Sequence, residues 1–509
     1  MEKQLVKKTI VILILLIFFT ASSTSAVQVT INQAHTPHTQ YNTPDNVEVL
    51  PSANALYCHL QINEKDLRVD TFLGYDVIEI KDYDISAEPG KPILPMKTLR
   101  IALPPDRKAT RIHLDDIDTQ PLTGSYTLLL AQPPQKTNSI EKTYSFLPLN
   151  REVSSSHHPY PSEPVQITGH CDLAGQAMAD IAFYPLTYLP AQHQVTLITS
   201  ISFTVELAEG YTCGDYLPNS LSDQGKEMYQ QMVEHMVINP RQVTLRSAPH
   251  PQSKGVPPGN YEYVIITQES FVSAFEPLRD WKTKKGTPAT IVTTTWIYNN
   301  GGYSGTNVEK IKAFVQDAQT TWGTMYFLLG GDTDTVPYSS RTFTSVDPDP
   351  VPNDTYYADY DNDWVCEVHV GRASVTAPGS NAGQIGNFIN KTLTYEKNPP
   401  LTNYATCAGF YGFNLDGSTP AEQCKITITN NYIPTSWTMT TVYDSHTGNH
   451  KTNVITAINA GQNLMNHADH SNYDYMGTGY VNHNLGLENT DMDALTNGNK
   501  QGIFYSMGC

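Results

Sequence analysis

A histidine and a cysteine each follow a short apolar run near the end of the chain. Residues 463–466 lead to the histidine-containing stretch 467–471, and residues 502–508 lead to Cys509. A thiol attacks an amide carbonyl as its thiolate, which a nearby imidazole can stabilise before it protonates the leaving amine. If the two runs are neighbouring parallel strands, His470 and Cys509 reach the same carboxyl edge of a sheet, where open α/β folds keep their sites. They are therefore a candidate catalytic pair.

Spacing alone leaves two alternatives open for this stretch. His467 lies three residues before His470 and competes with it for the role of base. The two histidines and Asp469 could also bind zinc or calcium, with His483 as a further ligand. Because no fourth partner stands at a recognisable metal spacing, we favour catalysis over the metal site.

An acidic loop in the middle of the chain is the second cluster of chemically capable side chains. Asp354, Asp359, Asp361 and Asp363 concentrate carboxylates within ten residues. The stretch 359–363 resembles the start of a calcium-binding loop, and calcium prefers oxygen ligands, but the glycine and the distal glutamate of an EF-hand are missing. The sequence predicts structural calcium here, with a solvated acidic loop as the alternative.

Length, charge and cysteine content narrow the class of protein. A chain of 509 residues suggests about two to four domains. The net charge of −18 argues against a nucleic-acid-binding protein, which needs a basic face. The seven cysteines form no CxxC pair, so a structural zinc site is not expected. Their odd number fits three disulfides and one free reactive thiol, as well as other arrangements.

Residues 1–26 have the pattern of a secretory signal peptide. Lys3, Lys7 and Lys8 precede an apolar stretch at 10–19, and small residues follow at 24–26. The apolar stretch of about ten residues is short of the roughly twenty that span a bilayer. We therefore expect an exported protein without a membrane segment after signal cleavage, and an uncleaved membrane anchor is the alternative.

The region after the signal predicts two further parts and a linker. Residues 27–54 are polar and expected to be loosely ordered. Residues 55–240 are predicted to form an all-β, sandwich-like domain, because apolar residues between Val195 and Leu207 recur with a period of two. One helix is predicted around Met232. Residues 241–259 are rich in proline and form a linker, whose basic residues are Arg241, Arg246 and Lys254.

Residues 260–509 change to an alternation of strands and helices. A continuous apolar run at 263–267 is followed by a helical pattern, a strand at 289–292, a second helix and a strand at 325–329. The pattern resumes after a loop of about thirty residues. This alternation predicts a mostly parallel sheet with helices on both faces.

Several motifs of this second half occur together in one known family. They are 330–332, 353–357, 367–372, 395–396, 466–471, 495–497, 503–504 and Cys509, in this order. On these residues, the region 261–509 resembles the gingipain family of secreted cysteine peptidases, which have a caspase-like α/β fold. The stretches 89–95 and 183–185 look like the β-rich propeptide of that family.

The resemblance implies a role for each residue at the candidate site. It makes Cys509 the nucleophile and His470 the general base, and it leaves His467 without a catalytic role. The backbone N–H groups of Cys509 and Ser471 would form the oxyanion hole. Asp469 stands where the family has a glycine, and it could either hold the imidazolium or alter the pocket. No cofactor is required for this chemistry.

The expected protein is a secreted cysteine endopeptidase precursor that hydrolyses proteins or peptides. Its all-β prodomain would act as an intramolecular inhibitor or chaperone, and cleavage near Arg241, Arg246 or Lys254 would release the enzyme. Because the sequence stops at Cys509, we expect it to be a fragment of a longer product with an incomplete catalytic domain. The rival hypothesis is a non-enzymatic secreted binding or adhesion protein with a degenerate peptidase fold.

Overall fold

The computed structural model describes residues 47–52, 54–72, 74–86, 88–132, 157–247, 255–343, 347–375, 381–415, 421–472, 474–479 and 486–508. The predicted signal peptide, most of the polar segment, and Lys254, His483 and Cys509 lie outside these residues. The described residues up to Ala382 form one compact unit, and those from Gly383 form another. None of the described helices is long and apolar enough to cross a membrane.

The first unit begins with antiparallel strands, as predicted, but its first strand lies within the 27–54 segment that was expected to be loosely ordered, because it pairs with the next strand. They are β1 Val47–Pro51, β2 Ala55–Gln61, β3 Leu67–Phe72, β4 Tyr75–Ile80, β5 Asp84–Ile85, β6 Pro95–Ala102, β7 Arg107–Pro121, β8 Val165–Leu173, β9 Gln176–Phe183, β10 Leu186–Leu189 and β11 Gln194–Glu209. One sheet has the order β1-β2-β11-β10 with β7 also paired to β11, another has the order β5-β6-β9-β8, and β3 and β4 form a hairpin. Val195, Leu197 and Phe203 of β11 are fully buried, which confirms the predicted alternation.

A single helix, α1 (Asp223–Met236), follows these strands in the described chain. The side chain of Ser222 accepts a hydrogen bond from the N–H of Gly225 and caps the first turn. Tyr229 and Val233 are buried, and the methionines at 228, 232 and 236 pack partly buried around them. The methionine spacing therefore predicted this helix correctly.

The rest of the first unit contains a parallel sheet. Its elements are β12 Tyr263–Thr267, α2 Val272–Lys284, β13 Ala289–Thr293, α3 Thr294–Asn299, α4 Asn307–Trp322, β14 Tyr326–Gly330, β15 Ser339–Phe343, β16 Asp347–Asn353 and β17 His369–Ala373. Four of them form an all-parallel sheet in the order β13-β12-β14-β17, and β15 pairs with β16 as an antiparallel hairpin. Val264, Ile265 and Ile266 are fully buried, as expected of a central parallel strand.

The second unit contains another parallel sheet. Its elements are α5 Asn381–Lys397, β18 Cys407–Gly412, α6 Ala421–Asn431, β19 Thr438–Tyr443, α7 His450–Ala460, β20 Leu464–Ala468, β21 Tyr475–Met476, β22 Leu487–Glu488, α8 Asn489–Asp493 and β23 Ile503–Met507. The parallel order is β19-β18-β20-β23, and β21 pairs with β22. Parallel strands were predicted correctly, but they form two four-stranded sheets rather than one.

Candidate active site

The predicted catalytic stretch lies at the carboxyl edge of the second parallel sheet. Strands β20 and β23 are direct neighbours, with His467 opposite Ser506 and Ala468 opposite Met507. Beyond the paired residues, the N–H of Asp469 donates to the carbonyl of Met507 at 3.3 Å. The ends of the two strands therefore leave the sheet side by side.

Gly508 brings the end of β23 against the residue that follows His470. A Cβ atom added at Gly508 would collide with the Ser471 hydroxyl and lie 2.7 Å from Ser471 Cβ. The absence of a side chain at Gly508 therefore leaves room for the side chain of Ser471. The described chain thus ends one residue before Cys509 in contact with the 469–471 segment.

One nitrogen of the His470 ring is held by a carbonyl, and the ring is half-buried. Nε2 lies 2.7 Å from the carbonyl oxygen of Leu415, just beyond β18. A carbonyl oxygen only accepts, so Nε2 carries the hydrogen and Nδ1 of the neutral ring keeps its lone pair. Nδ1 is therefore the nitrogen that can accept a proton from a thiol.

Asp469 bonds to backbone groups and not, among the described residues, to the imidazole. One carboxylate oxygen accepts the N–H of His470 at 2.7 Å, and the other accepts the N–H of Gly479 at 2.8 Å. Burial raises the pKa of this carboxyl to about 6. These contacts shape the loop that carries His470, whereas the ring itself is oriented by Leu415.

His467 is enclosed in the protein and uses both ring nitrogens. Nδ1 lies 2.8 Å from the Ser506 hydroxyl, and Nε2 lies 2.8 Å from the carbonyl of Gly477. The residue is 1% exposed, and burial lowers its pKa to about 4. A neutral imidazole with both nitrogens bonded internally stabilises the fold and has no lone pair to offer a substrate.

Ser471 has backbone and side-chain groups that suit a binding role. Ser471 and Met476 face each other as an isolated antiparallel β-bridge. The hydrogen bonds of this bridge are donated by the N–H groups of Asn472 and Gly477, and the N–H of Ser471 takes no part in them. Its Oγ is buried without a hydrogen-bond partner among the described residues. A buried polar group without a partner is costly unless another group satisfies it.

Asp354, one of the four predicted calcium ligands, has a different partner. Arg372 of β17 holds both of its carboxylate oxygens, with Nε at 2.7 Å and Nη2 at 2.6 Å. Arg372 Nη1 also donates to the carbonyls of Gly331 and Val336. The charge of Asp354 is thus paired with Arg372, which joins the loops after β14 and β16, and Asp354 is not grouped with the other three predicted ligands.

The other three predicted ligands are grouped with Glu367, which the sequence reasoning missed. Asp359, Asp361, Asp363 and Glu367 each offer one carboxylate oxygen, and these oxygens lie within 4.8 Å of one another. Arg341 pairs with Asp359 at 2.6 Å. Asp361, Asp363 and Glu367 form no ion pair with a described residue. The sequence feature that could have identified Glu367 as a further ligand is its position shortly after Asp363, the last aspartate of the acidic loop.

Glu367 is the buried end of this acidic cluster. It is 1% exposed, and its Oε2 accepts the N–H of Tyr360, while its Oε1 has no partner in the described chain. Burial first, and then neighbouring carboxylates, raise the pKa of Glu367 to about 9 and that of Asp361 to about 7. Burial and crowding thus favour the protonated forms of Glu367 and Asp361 when no cation is bound.

The acidic cluster also contacts the β-rich part of the same unit. The N–H of Asp172 on β8 donates to Asp363 at 2.6 Å. Gly214 packs so closely on Asp361 that an added Cβ would collide with its carboxylate. Tyr229 of α1 donates its hydroxyl hydrogen to the carbonyl of Glu367. Groups from the predicted prodomain therefore help position three members of the cluster.

The predicted cleavage residues have different surroundings. Arg241 is exposed in a short 3-10 turn. Arg246 donates to Asp106 at 2.8 Å and to the carbonyl of Gly175 at 3.0 Å, and its own backbone bonds to Ala174 and Leu217. Cleavage at Arg246 would require these contacts to open first.

The six described cysteines are free thiols, so the idea of three disulfides is wrong. They are Cys58, Cys171, Cys213, Cys366, Cys407 and Cys424. Burial raises the pKa of Cys58 and of Cys171 to about 12, which keeps these thiols protonated and unreactive. Cys424 is the exposed thiol of this group.

Comparison with known proteins gives matches over both parts of the chain. The model of peptidase family C25 matches residues 256–509, and the model of the C25 propeptide matches residues 34–239. The comparison with curated proteins returned no match.

Three solved structures illustrate the similarity. The complex of the pro- and mature domains of RgpB from Porphyromonas gingivalis is 21% identical, with a TM-score of 0.40, and the match covers 49% of this chain and 55% of that chain. The Arg-specific cysteine proteinase gingipain R (RgpB) is 21% identical, with a TM-score of 0.39, and the match covers 52% of this chain and 56% of that chain. A structure that concerns the zymogenic latency of gingipain K from Porphyromonas gingivalis is 18% identical, with a TM-score of 0.28. This match covers 32% of this chain and 93% of that chain.

The chain thus spans a little over half the length of the first of these structures. The two family models nonetheless follow each other in the order propeptide and then peptidase, and they leave only short segments unmatched. The chain therefore belongs to peptidase family C25, the gingipain-like cysteine peptidases with a propeptide.

Proposed function

We propose that this chain is the precursor of a cysteine endopeptidase in which Cys509 is the nucleophile and His470 is the general base. The observation that carries this proposal is the register of β20 and β23. Paired residues differ by 39 positions, since 506 − 467 = 39 and 507 − 468 = 39. The same offset applied to position 470 gives 470 + 39 = 509. In sequence, His470 and Cys509 therefore stand the same number of residues past the last paired residues of β20 and β23, which supports their assignment as base and nucleophile.

The arrangement around His470 supports a simple sequence of proton transfers. Nδ1, left free when Nε2 bonds to Leu415, takes the proton of the Cys509 thiol. The thiolate adds to the peptide carbonyl, and the backbone N–H groups of Ser471 and Cys509 stabilise the resulting oxyanion. The imidazolium then protonates the leaving amine, and water hydrolyses the thioester with His470 again acting as base.

A thiol-reactive peptide probe tests this proposal against the binding or adhesion hypothesis, which membership of a cysteine peptidase family does not favour. We expect the probe to label the enzyme, and Cys509→Ala to abolish labelling. The matched control is Cys424→Ala, because Cys424 is an exposed thiol away from the proposed site. Labelling that survives Cys509→Ala, or is lost with Cys424→Ala, would contradict the assignment.

The proposal also covers the export of the precursor, the role of its prodomain, and its substrates and partners. The signal-like pattern at 1–26 supports export, and the match of 34–239 to the C25 propeptide supports an inhibitory prodomain. The substrates would be proteins or peptides. The net charge of −18 supports neither nucleic acid nor an anionic membrane surface as a partner.

We also propose a structural calcium ion bound by Asp359, Asp361, Asp363 and Glu367. Calcium–oxygen distances of about 2.3–2.6 Å allow ligand oxygens on opposite sides of the ion to lie about 5 Å apart. The observed limit of 4.8 Å fits this geometry. The unpartnered Oε1 of Glu367 supplies a second reason, because it is buried at the cluster and needs a positive partner.

Glu367→Gln is expected to weaken calcium binding by about tenfold or more, because it removes one of the charges that hold the ion. Calorimetric titration of the chelator-treated protein would measure the change. Asp354→Asn is the matched control, since Asp354 is paired with Arg372 and should not affect calcium affinity. Equal weakening by both variants, or no calcium binding by the unchanged protein, would rule out this site.

A further inference from the structure

The described linker residues that begin at Gly255 are bound by a buried carboxylate on α4. The N–H groups of Gly255 and Val256 both donate to Asp317 Oδ2, at 2.8 and 3.1 Å. The hydroxyl of Tyr303 donates to the same oxygen at 2.8 Å, and Thr321 donates to Oδ1 at 3.1 Å. Asp317 is only 6% exposed. A charged group is thus kept in the interior by donors that converge on it, as a buried charge requires.

Close packing fixes the position of the nitrogen of Gly255. A Cβ atom at Gly255 would collide with the carbonyl oxygen of Gly301 and lie 2.7 Å from its carbon, so only glycine fits here. Val256 is buried, and the indole N–H of Trp322 donates to the carbonyl of Pro257 at 2.6 Å. Residues 255–257 are therefore anchored to α4 by their own contacts.

We infer that the Asp317 carboxylate is the binding site for the amino terminus of the mature enzyme, created when the peptide bond before Gly255 is cleaved. The cleavage needs water and a peptidase that cuts after a basic residue, here Lys254. Water adds across the bond, the carbonyl of residue 254 becomes a carboxylate, and the nitrogen of Gly255 leaves as an amine and takes a proton. The amide N–H that donated to Asp317 is thereby replaced by an α-ammonium group.

The change strengthens an interaction that already exists in the precursor. A hydrogen bond between an ammonium group and a carboxylate is shorter and about twice as strong as one between neutral groups. The Asp317 carboxylate is already desolvated, so ion-pair formation adds little further cost on its side. The same helix also contacts the acidic cluster, since Lys312 donates to the carbonyl of Asp359 and Gln319 to that of Glu367.

This inference rests on the proposed precursor, but it needs neither peptidase activity nor Cys509. In the test, residues 251–254 of the chain are replaced by the recognition sequence of a site-specific protease that cuts after its last residue. Digestion then leaves Gly255 at the amino terminus. The matched control has two extra residues, Ser-Ala, between the recognition sequence and Gly255. A third protein combines the first design with Asp317→Asn.

The readout is the rate at which an amine-selective reagent labels the new amino terminus near neutral pH. We expect labelling of Gly255 to be slower than that of the extended control by on the order of tenfold, because the ammonium group is held in a charge-assisted bond. Asp317→Asn should remove most of this protection. Equal labelling rates for Gly255 and for the extended control overturn the inference, whatever Asp317→Asn does to the stability of the protein. Protection that survives Asp317→Asn also overturns it.

Discussion

His470→Ala is expected to lower kcat/KM for peptide hydrolysis by about 10²–10⁴-fold, the usual contribution of a general acid–base group. The folded enzyme should keep its unfolding temperature, because the half-buried ring of His470 makes one side-chain hydrogen bond to a described residue, the carbonyl of Leu415. Steady-state kinetics and thermal unfolding of the same preparation measure both effects. A variant with undiminished kcat/KM would remove His470 from the mechanism.

His467→Ala should show the opposite behaviour and is the natural comparison. It leaves a cavity and removes the partner of Ser506 and of the Gly477 carbonyl, so we expect a loss of about 2–5 kcal/mol in the free energy of unfolding. Residual folded enzyme should still react with a thiol probe. If His467→Ala abolished labelling without destabilising the fold, the roles of the two histidines would have to be exchanged.

The pH dependence of stability offers an independent check on His467. Its pKa is lowered from 6.5 to about 4 by burial, so protonation favours the unfolded state. The stability contributed by the neutral ring is fully present above pH 6.5 and is lost as the pH falls through about 4. The pKa difference corresponds to on the order of 3 kcal/mol. The unchanged protein should therefore lose more stability than His467→Ala between pH 7 and pH 4.

Arg372→Ala is expected to lower the free energy of unfolding by about 3–5 kcal/mol. This is the second large effect that we expect, after that of His470→Ala on kcat/KM. The side chains of Arg372 and Asp354 are 11% and 27% exposed, and the substitution leaves the Asp354 carboxylate without its counter-charge. It also leaves the carbonyls of Gly331 and Val336 without this donor. Denaturant-induced unfolding would measure the loss.

Arg279→Ala is a suitable control for the effect of removing an arginine. Arg279 pairs with Glu276 and Asp280 at the surface, where ion pairs contribute about 0–1 kcal/mol. The loss in Arg372→Ala should be the same with and without calcium, because Asp354 is not grouped with the proposed ligands. A calcium-dependent loss would return Asp354 to the calcium site.

Features that depend on neighbouring residues along the chain were predictable from the sequence. The alternation in β11, the methionine spacing of α1 and the continuous apolar run of β12 each describe one element whose burial follows from its own periodicity. The parallel strands could be recognised for the same reason. How these strands divide between sheets depends on pairings between distant segments, and the predicted single sheet proved to be two.

The sequence by itself determined the family motifs, the positions of His470 and Cys509 past two apolar runs, and the acidic loop. Only the tertiary structure decided which partner each polar group has. Leu415 is 55 residues from His470, and Arg372 is 18 residues from Asp354, so neither contact leaves a local pattern. Buried polar groups bond to whichever complementary group the packed fold brings within about 3 Å, and the order of residues along the chain does not reveal that distance.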